Sequence, residues 1–338
     1  MSSAQPPGSM GAFQLLPLVE AAGALGLEAD RLLACINVRA EELEDPRCRL
    51  PLGVEFALWD ALQEMTQDPL VALRVGATVR VGVYGAYEYV LRNSLTLRAC
   101  VERAHRFQRL VDDVTTISLV ETADEATLRV ARAGGYPVPP RGVECLFVVL
   151  ARLGREQYGE GVPKPVRFAH PAPTDAHVFE KHFGCPVRFG AWHNEIVVDR
   201  ELVDRPANGV DPHLGRVLED HLNHLLQTVP QQDAFILRAR GAVHDALAAG
   251  HVSMDEVARR LSMSPRTLRR HLEQRGTSYK LMLDDLRRAL ALQLVEQADD
   301  PLDAIAARLG FSEPSTFYRA FKRWSGTTPA AHRAQHRS

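Results

Sequence analysis

The chain has 338 residues, too many for one small domain, and 46% of them are hydrophobic, which supports two or three cores of ordinary size. Its five cysteines (Cys35, Cys48, Cys100, Cys145 and Cys185) are scattered, odd in number and free of any C-x-x-C pair, so neither a disulfide framework nor a zinc knuckle organises the chain. The net charge of −2 hides an asymmetry: from residue 231 onward 17 Lys and Arg face 12 Asp and Glu, whereas the preceding part carries 23 against 30.

Residues 1–11 are small, polar and rich in Pro and Gly, and are expected to be disordered. They lack the basic stretch and apolar run of a signal peptide, and no later apolar stretch approaches the roughly 20 residues of a membrane span. The expectation is a cytoplasmic protein with no membrane contact. Phe13 to Leu25 reads as a helix with Leu15, Leu16, Val19 and Leu25 inward, and Asp30 as the cap of a short helix through Ile36. Pro51 to Met65 reads as a helix on Phe56, Leu58, Trp59 and Leu62. Leu70 to Val79 and Tyr84 to Leu91 read as helices broken at Gly82. Thr96 to Leu110 carries a stripe of Leu97, Cys100, Val101, Ala104, Phe107 and Leu110.

The period then shifts to two. Val114 to Val120 and Ala126 to Ala131 alternate apolar and polar around the turn ETADE, the pattern of a β-hairpin. A long apolar helix comes next, from Gly142 to Tyr158. Short strands at Val166 to Phe168 and Ile196 to Val198 flank a helix from Thr174 to Phe183. This composition predicts an α+β domain over 12–208. An amphipathic helix on Leu218, Leu222, Leu225 and Leu226 and a linker at 230–233 are expected to connect it, over 209–233, to an all-α region from 234 to 338.

That region contains one unit twice. The motifs, about 253–274 and 301–324, align with Val257, Ala258, Arg260 and Leu261 answering Ile305, Ala306, Arg308 and Leu309 at an offset of 48. After the turn the offset is 49: Pro265 answers Pro314, Thr267 answers Thr316, Leu268 answers Phe317, Arg270 answers Arg319 and Leu272 answers Phe321. A self-match of this length marks a duplicated supersecondary unit. In each copy an apolar stripe closes a short helix, a cap (Ser264; Ser312 or Glu313) precedes a proline at the first helical position, and the next helix turns Leu268 and Leu272, or Phe317 and Phe321, inward. Arg266, Arg269 and Arg270 are left outside in the first copy, and Ser315, Thr316 and Arg319 in the second. Two such helix-turn-helix units are suited to DNA major grooves, where Arg reads guanine and Ser or Thr meets base or phosphate. The joining helix, Tyr279 to Gln297 with Leu281, Leu283, Leu286, Leu290 and Leu294 as its expected face, spans about 28 Å at about 1.5 Å per residue. Successive major-groove faces lie roughly 34 Å apart, so one chain can present both units to adjacent turns.

The repeat resembles the DNA-binding domain of AraC/XylS-type transcription regulators. The residues that carry the resemblance are Ile305-Ala306, Gly310-Phe311-Ser312, Phe317 through Lys322, Gly326-Thr327-Thr328-Pro329 and Arg333. The front part resembles the arabinose-binding-like sensing domain of one branch of that family, through Val166 to Pro173, Phe183 to Ala191 and Asn194 to Asp199. The resemblance implies a transcription regulator that binds double-stranded promoter DNA, works with RNA polymerase, responds to a small-molecule effector and dimerises. It carries base reading onto Arg266, Arg269 and Arg270, and onto Pro314, Ser315 and Arg319, although proline has no donor for a base. With their neighbours, the expected DNA-contacting set is Ser264, Arg266, Thr267, Arg269, Arg270, Ser315, Thr316, Arg319 and Lys322.

Outside the repeat, Tyr84, Tyr87, His105 and Phe107 are the candidate effector pocket, as aromatics with polar tips. His170, His177, His182 and Cys185 are zinc-donor types, but their spacing is poor, since His177 and His182 are five apart on different faces of one helix, and the stretch reads as a helix with solvent-facing histidines. Ser94, Ser118, His105 and Asp113 form no triad signature, since no G-x-S-x-G elbow is present. Without a P-loop or G-x-G-x-x-G, no cofactor is expected. The alternative is a DNA-repair or metabolic enzyme with an appended DNA-binding module. It needs a cation-flanked cysteine, whereas Cys100 precedes Glu102 by two and Cys145 adjoins Glu144.

Overall fold

The computed structural model describes residues 9–132, 138–159, 163–173, 175–229, 234–250, 252–297 and 300–336. The chain divides into two compact units, one drawn from residues 5–131 and 138–230 and the other built on 231–338.

The front unit starts with a strand, β1 (Ser9–Gly11), where disorder was expected for 1–11; residues 1–8 lie outside the described residues. It pairs antiparallel with β2 (Arg49–Pro51). The physical reason is a buried polar clamp: Arg49 donates to the Ser9 carbonyl at 2.9 Å and to Asp113 Oδ1 at 3.0 Å, while Ser9 N donates to Asp113 Oδ2 at 2.6 Å. Between these strands lie a 3₁₀ turn at Ala12–Leu15 and the helices α1 (Leu16–Ala24), α2 (Ala29–Ile36) and α3 (Ala40–Glu44). Leu18, Ala21 and Ala22, rather than Leu16 and Val19, form the buried face of α1, because the tighter 3₁₀ turn ahead of the helix rotates its faces. Glu28, not Asp30, occupies the cap position of α2.

Next come α4 (Gly53–Thr66), α5 (Val71–Thr78), α6 (Gly85–Arg92) and α7 (Leu97–Val111), the last capped by Thr96, whose hydroxyl accepts from Ala99 N. The hairpin β3 (Thr115–Glu121) and β4 (Glu125–Arg132) comes after them, and α8 (Pro140–Tyr158) packs along α5. The two helices approach closely at Gly76, where an added Cβ would lie 2.7 Å from Val148 Cβ. The rest of the sheet is β5 (Val166–Arg167), β6 (Val187–Arg188) and β7 (Asn194–Asp199), with α9 (Ala176–Phe183) between β5 and β6. The order is β3-β4-β7-β5-β6, antiparallel at β4–β7 and β5–β7 and parallel at β5–β6. Alternation along β4 places Ala126, Leu128 and Val130 on the core side, against Val143, Phe147 and Val148 of α8 and the rings of Phe168, Phe179 and Phe183.

The helix expected to be a connector, α10 (Pro212–Thr228), belongs to this unit. It packs on α6 and α7 through Leu218, Leu222, Leu225 and Leu226. Pro212 stands at its first turn, where the missing N–H costs nothing, and Asp211 accepts from His213 N and Leu214 N.

The rear unit opens with a helix that periodicity does not delimit, α11 (Ala234–Ala248). The repeat is made of α12 (Met254–Arg260) and α13 (Pro265–Glu273), the long α14 (Tyr279–Gln297), then α15 (Leu302–Arg308), α16 (Pro314–Ser325) and a closing α17 (Pro329–His336). There are two cores here. One gathers Ala239, Val243 and Leu247 of α11 with Val257, Ala258, Leu261, Leu268 and Leu272; the other gathers Ile305, Ala306, Leu309, Phe317 and Phe321. The helix α14 serves both with opposite faces. Met282 and Leu286 enter the first core, while Ala291 and Val295, about 180° around at about 100° per residue, enter the second. Leu281, expected inward, is therefore exposed.

Candidate nucleic-acid interface

The two motifs match atom for atom at the turn. Ser262 N bonds Arg259 O at 3.0 Å and Met263 N bonds Ala258 O at 3.0 Å; 48 positions on, Gly310 N bonds Ala307 O at 2.9 Å and Phe311 N bonds Ala306 O at 3.1 Å. Both turns pass through the left-handed region, at Ser262 with φ 56° and at Gly310 with φ 68°. The second helix of each motif then starts at a proline. In the first copy Ser264 Oγ accepts from Thr267 N at 3.1 Å, as its place before Pro265 suggests. In the second, Glu313 holds the cap position but its side chain makes no cap hydrogen bond, and Ser312 is not the cap.

The buried rows Leu268 and Leu272, and Phe317 and Phe321, leave the opposite rows in solvent. Arg266, Arg269 and Arg270 are exposed on α13, and Ser315, Thr316, Arg319 and Lys322 on α16, spaced three and four apart as neighbours on one helical face. Ser264 is exposed as well. Thr267 is half-buried, with its hydroxyl 2.8 Å from Ser264 Oγ, so it belongs to the cap as much as to the face.

Charge pairing separates the arginines into two kinds. Arg259 and Arg260 each reach Glu256 at 2.7 Å. Arg323 reaches Asp284 at 2.9 Å, and Arg287 donates to the carbonyls of Leu309 and Gly310 at 2.8 and 2.6 Å. Among the described residues, no acidic group forms an ion pair with Arg266, Arg269, Arg270, Arg319 or Lys322. Five cations held in solvent without a counter-charge, on the helices the motif geometry presents, form a face that phosphates and guanine edges can neutralise.

Residues outside the expected contacting set hold that face in place. Asp284 on α14 accepts from Arg323 and from Trp324 Nε1 at 3.2 Å, which seats the end of α16. Arg333 on α17 donates to Val295 O at 3.1 Å and Asp300 O at 2.9 Å, closing the C-terminal end of α14. Only Arg333 carried a signal, as a member of the motif.

In the front unit a cavity of about 250 Å³ lies between α1, α3, α6, α7 and α10. Tyr84 and Tyr87 line it, with Phe13, Leu43, Leu222 and Leu225, and Glu44 and His221 add polar groups. Burial pushes the Tyr84 hydroxyl well above its ordinary value, so it stays a neutral donor. His105 and Phe107 are not among the lining residues: His105 is exposed and Phe107 is wholly buried beneath α10.

The histidines do not act as one group. His177 is exposed, His182 half-buried, and His170, which precedes their helix, is buried against Glu144. Cys100 is pushed up to about 11 and Cys145 up to about 12 by burial, the reverse of an activated thiolate.

Comparison with known proteins gives this architecture its class. Residues 26–207 match the arabinose-binding domain of AraC transcription regulators, N-terminal, and residues 257–335 match a helix-turn-helix domain. The chain belongs to the AraC-type transcription regulators: it is a DNA-binding regulator and not an enzyme. It is similar to the ornithine utilization regulator of Pseudomonas aeruginosa, at 29% identity over 94% of each chain. It is also similar to the HTH-type transcriptional regulator VirS of Mycobacterium tuberculosis, at 29% identity over 79% of each. The crystal structure of the transcriptional regulator CdpR from Pseudomonas aeruginosa aligns over 95% of this chain and 98% of its own, at 20% identity and a TM-score of 0.46. Among the described residues no helix is long and apolar enough to cross a membrane.

Proposed function

We propose that α13 and α16 read a bipartite promoter sequence and that the front unit makes this reading depend on a small effector. The observation that supports the first part is the contrast in charge pairing. Arg266, Arg269, Arg270, Arg319 and Lys322 carry no ion pair among the described residues, whereas Arg259, Arg260 and Arg323 are held by carboxylates. In this reading Arg266, Arg269 and Arg270 contact one major-groove face and Ser315, Thr316, Arg319 and Lys322 the next. Ser264 and Thr267 meet the backbone at the start of α13. A binding titration of full-length chain on a sequence-selected duplex tests it. Arg270→Ala and Arg319→Ala are each expected to weaken binding about 10- to 100-fold, as loss of a base contact does. Unchanged affinity and preference in both variants would refute it.

The effector site in this proposal is the cavity at Tyr84 and Tyr87, whose volume suits a metabolite of about amino-acid size. The Pseudomonas aeruginosa relative is, by its name, a regulator of ornithine utilization. Bound effector would favour one arrangement of a dimer and so alter contact with RNA polymerase. A thermal-shift screen of the full-length chain against amino acids and their catabolites tests the sensing half. A hit abolished by Tyr87→Trp, which fills the cavity, supports it; a hit that survives the filling removes the cavity from the reading.

A further inference from the structure

The turn of the second motif is held from outside its own motif. Arg287, on α14, donates Nε to Leu309 O at 2.8 Å and Nη2 to Gly310 O at 2.6 Å, and its guanidinium lies 4.4 Å from the centroid of Phe311. The two carbonyls accepting these bonds come after α15 and have left the helical ladder, so the fork of the guanidinium satisfies both at once. The same turn touches the first motif's core directly. A Cβ on Gly310 would lie 3.2 Å from Val252 Cγ2 and 3.3 Å from both Leu247 Cδ1 and Arg287 Nη2. Leu290 packs against both cores from the same helix.

We infer that Arg287 is the positioning residue that fixes the separation and phase of the two reading helices, and so makes the chain selective for the distance between its two half-sites. A helix alone does not set this phase. The second motif has to be prevented from rolling about α14, and the grip on Leu309, Gly310 and Phe311 resists that motion at the point where α15 hands over to α16. Arg287 itself is half-buried against protein carbonyls, so its effect on DNA runs through geometry rather than contact.

The inference rests on both faces reading DNA. Full-length chain is used to select duplexes from a random pool, and the preferred bipartite site is then remade with one base pair inserted between its halves. One base pair turns the second half by roughly a tenth of a helical turn. Wild-type chain is expected to lose about 10-fold or more in affinity on the insertion, the cost of about one mismatched contact. Arg287→Ala is expected to lose less than about 3-fold on the same insertion, while losing affinity for the unaltered site. Arg287→Lys, which keeps the charge but not the fork, is expected to behave like Arg287→Ala, because position rather than charge is at issue. Phe311→Leu removes the stacking ring alone and serves if Arg287→Ala unfolds; it is expected to narrow the same ratio. A folded Arg287→Ala or Phe311→Leu chain that discriminates against the insertion as sharply as wild type overturns the inference. Selection of no bipartite site by wild type overturns the two-face reading beneath it as well.

Discussion

Glu144 Oε1 lies 3.3 Å from His170 Nε2 inside the front core, with both side chains 7% exposed. The two are not an ion pair. Burial pushes the Glu144 carboxyl up to about 8, opposed by the Arg141 cation, and pushes the His170 imidazole down to about 4. At neutral pH a protonated carboxyl therefore faces a neutral ring, whose Nδ1 sits 3.0 Å from the Pro171 carbonyl. That carbonyl can only accept, so Nδ1 carries the ring proton, and Nε2 faces Glu144 without a hydrogen bond formed to it.

The pair has an asymmetric effect on stability. Between about pH 4.5 and 6.5 the unfolded chain has released the glutamate proton but kept the histidine proton, and the two differences from the folded state cancel. Above about 6.5 only the glutamate difference remains, so stability falls as pH rises toward about 8. The loss is of order 2 kcal/mol at about 1.4 per pKa unit. Thermal unfolding of wild type and Glu144→Gln at pH 6.5 and 8.5 checks this. The wild-type Tm should drop on the alkaline side and the variant, which has no proton to lose there, should drop less. Parallel curves would exclude the pair as the cause.

The turn pair Ser262 and Gly310 gives a prediction of opposite signs. Ser262 sits at φ 56° with a side chain in solvent, so Ser262→Gly relieves left-handed strain of about 1 kcal/mol, partly offset by the looser unfolded chain. A gain of roughly 0.5 kcal/mol is expected. At Gly310 the same conformation is combined with neighbours at 3.2 to 3.3 Å, so Gly310→Ala is expected to cost about 1–3 kcal/mol. Urea unfolding of both variants measures the signs; a stabilising Gly310→Ala would contradict the packing described for the turn.

What was legible beforehand was what periodicity encodes. The stripes Val257, Ala258, Leu261 and Ile305, Ala306, Leu309 are buried as read, and the alternation of β4 points its apolar residues to the core. α11 escaped because its buried face is largely alanine, at 239, 242 and 246, which gives little hydrophobic contrast. Periodicity puts five leucines of α14 on one stripe, whereas the helix divides its sides between two cores, a demand that spacing within one helix does not carry. The exposed arginines were legible as outer-face residues, but which of them lack partners was not. Glu256, Asp284 and the carbonyls at 309 and 310 are chosen by tertiary geometry, which spacing does not carry.

Lys322 gives a test by salt rather than by sequence. It is exposed at the far end of the α16 row and forms no ion pair among the described residues, so in the proposed docking its contact is predicted to be with phosphate at the groove edge. Lys322→Ala should weaken binding to every duplex by a similar factor and reduce the slope of log affinity against log salt by about 1. A loss confined to one base position, with the slope unchanged, would make Lys322 a base reader instead.

The reverse experiment adds charge by removing its partner. Glu256 holds Arg259 through bonds of 2.7 to 3.0 Å and Arg260 at 2.7 Å, and those bonds keep its carboxyl below the usual range. α12 is the motif's first helix, the one that crosses the DNA backbone when the second lies in the groove. Glu256→Gln leaves the Ser253 cap in place, because that bond uses the backbone N–H of residue 256. It does remove a negative charge from the first turn, where the helix dipole favours one, so the helix is slightly weakened. The two released guanidinia should tighten binding to unrelated duplexes and steepen the salt slope by about 1 to 2. Because phosphate contacts carry no sequence information, affinity for the selected site should rise by no more than that for random DNA, and the specificity ratio should stay level or fall. If instead the slope does not change while the chain remains folded, α12 lies away from the backbone, and the docking of the first motif must use α13 alone.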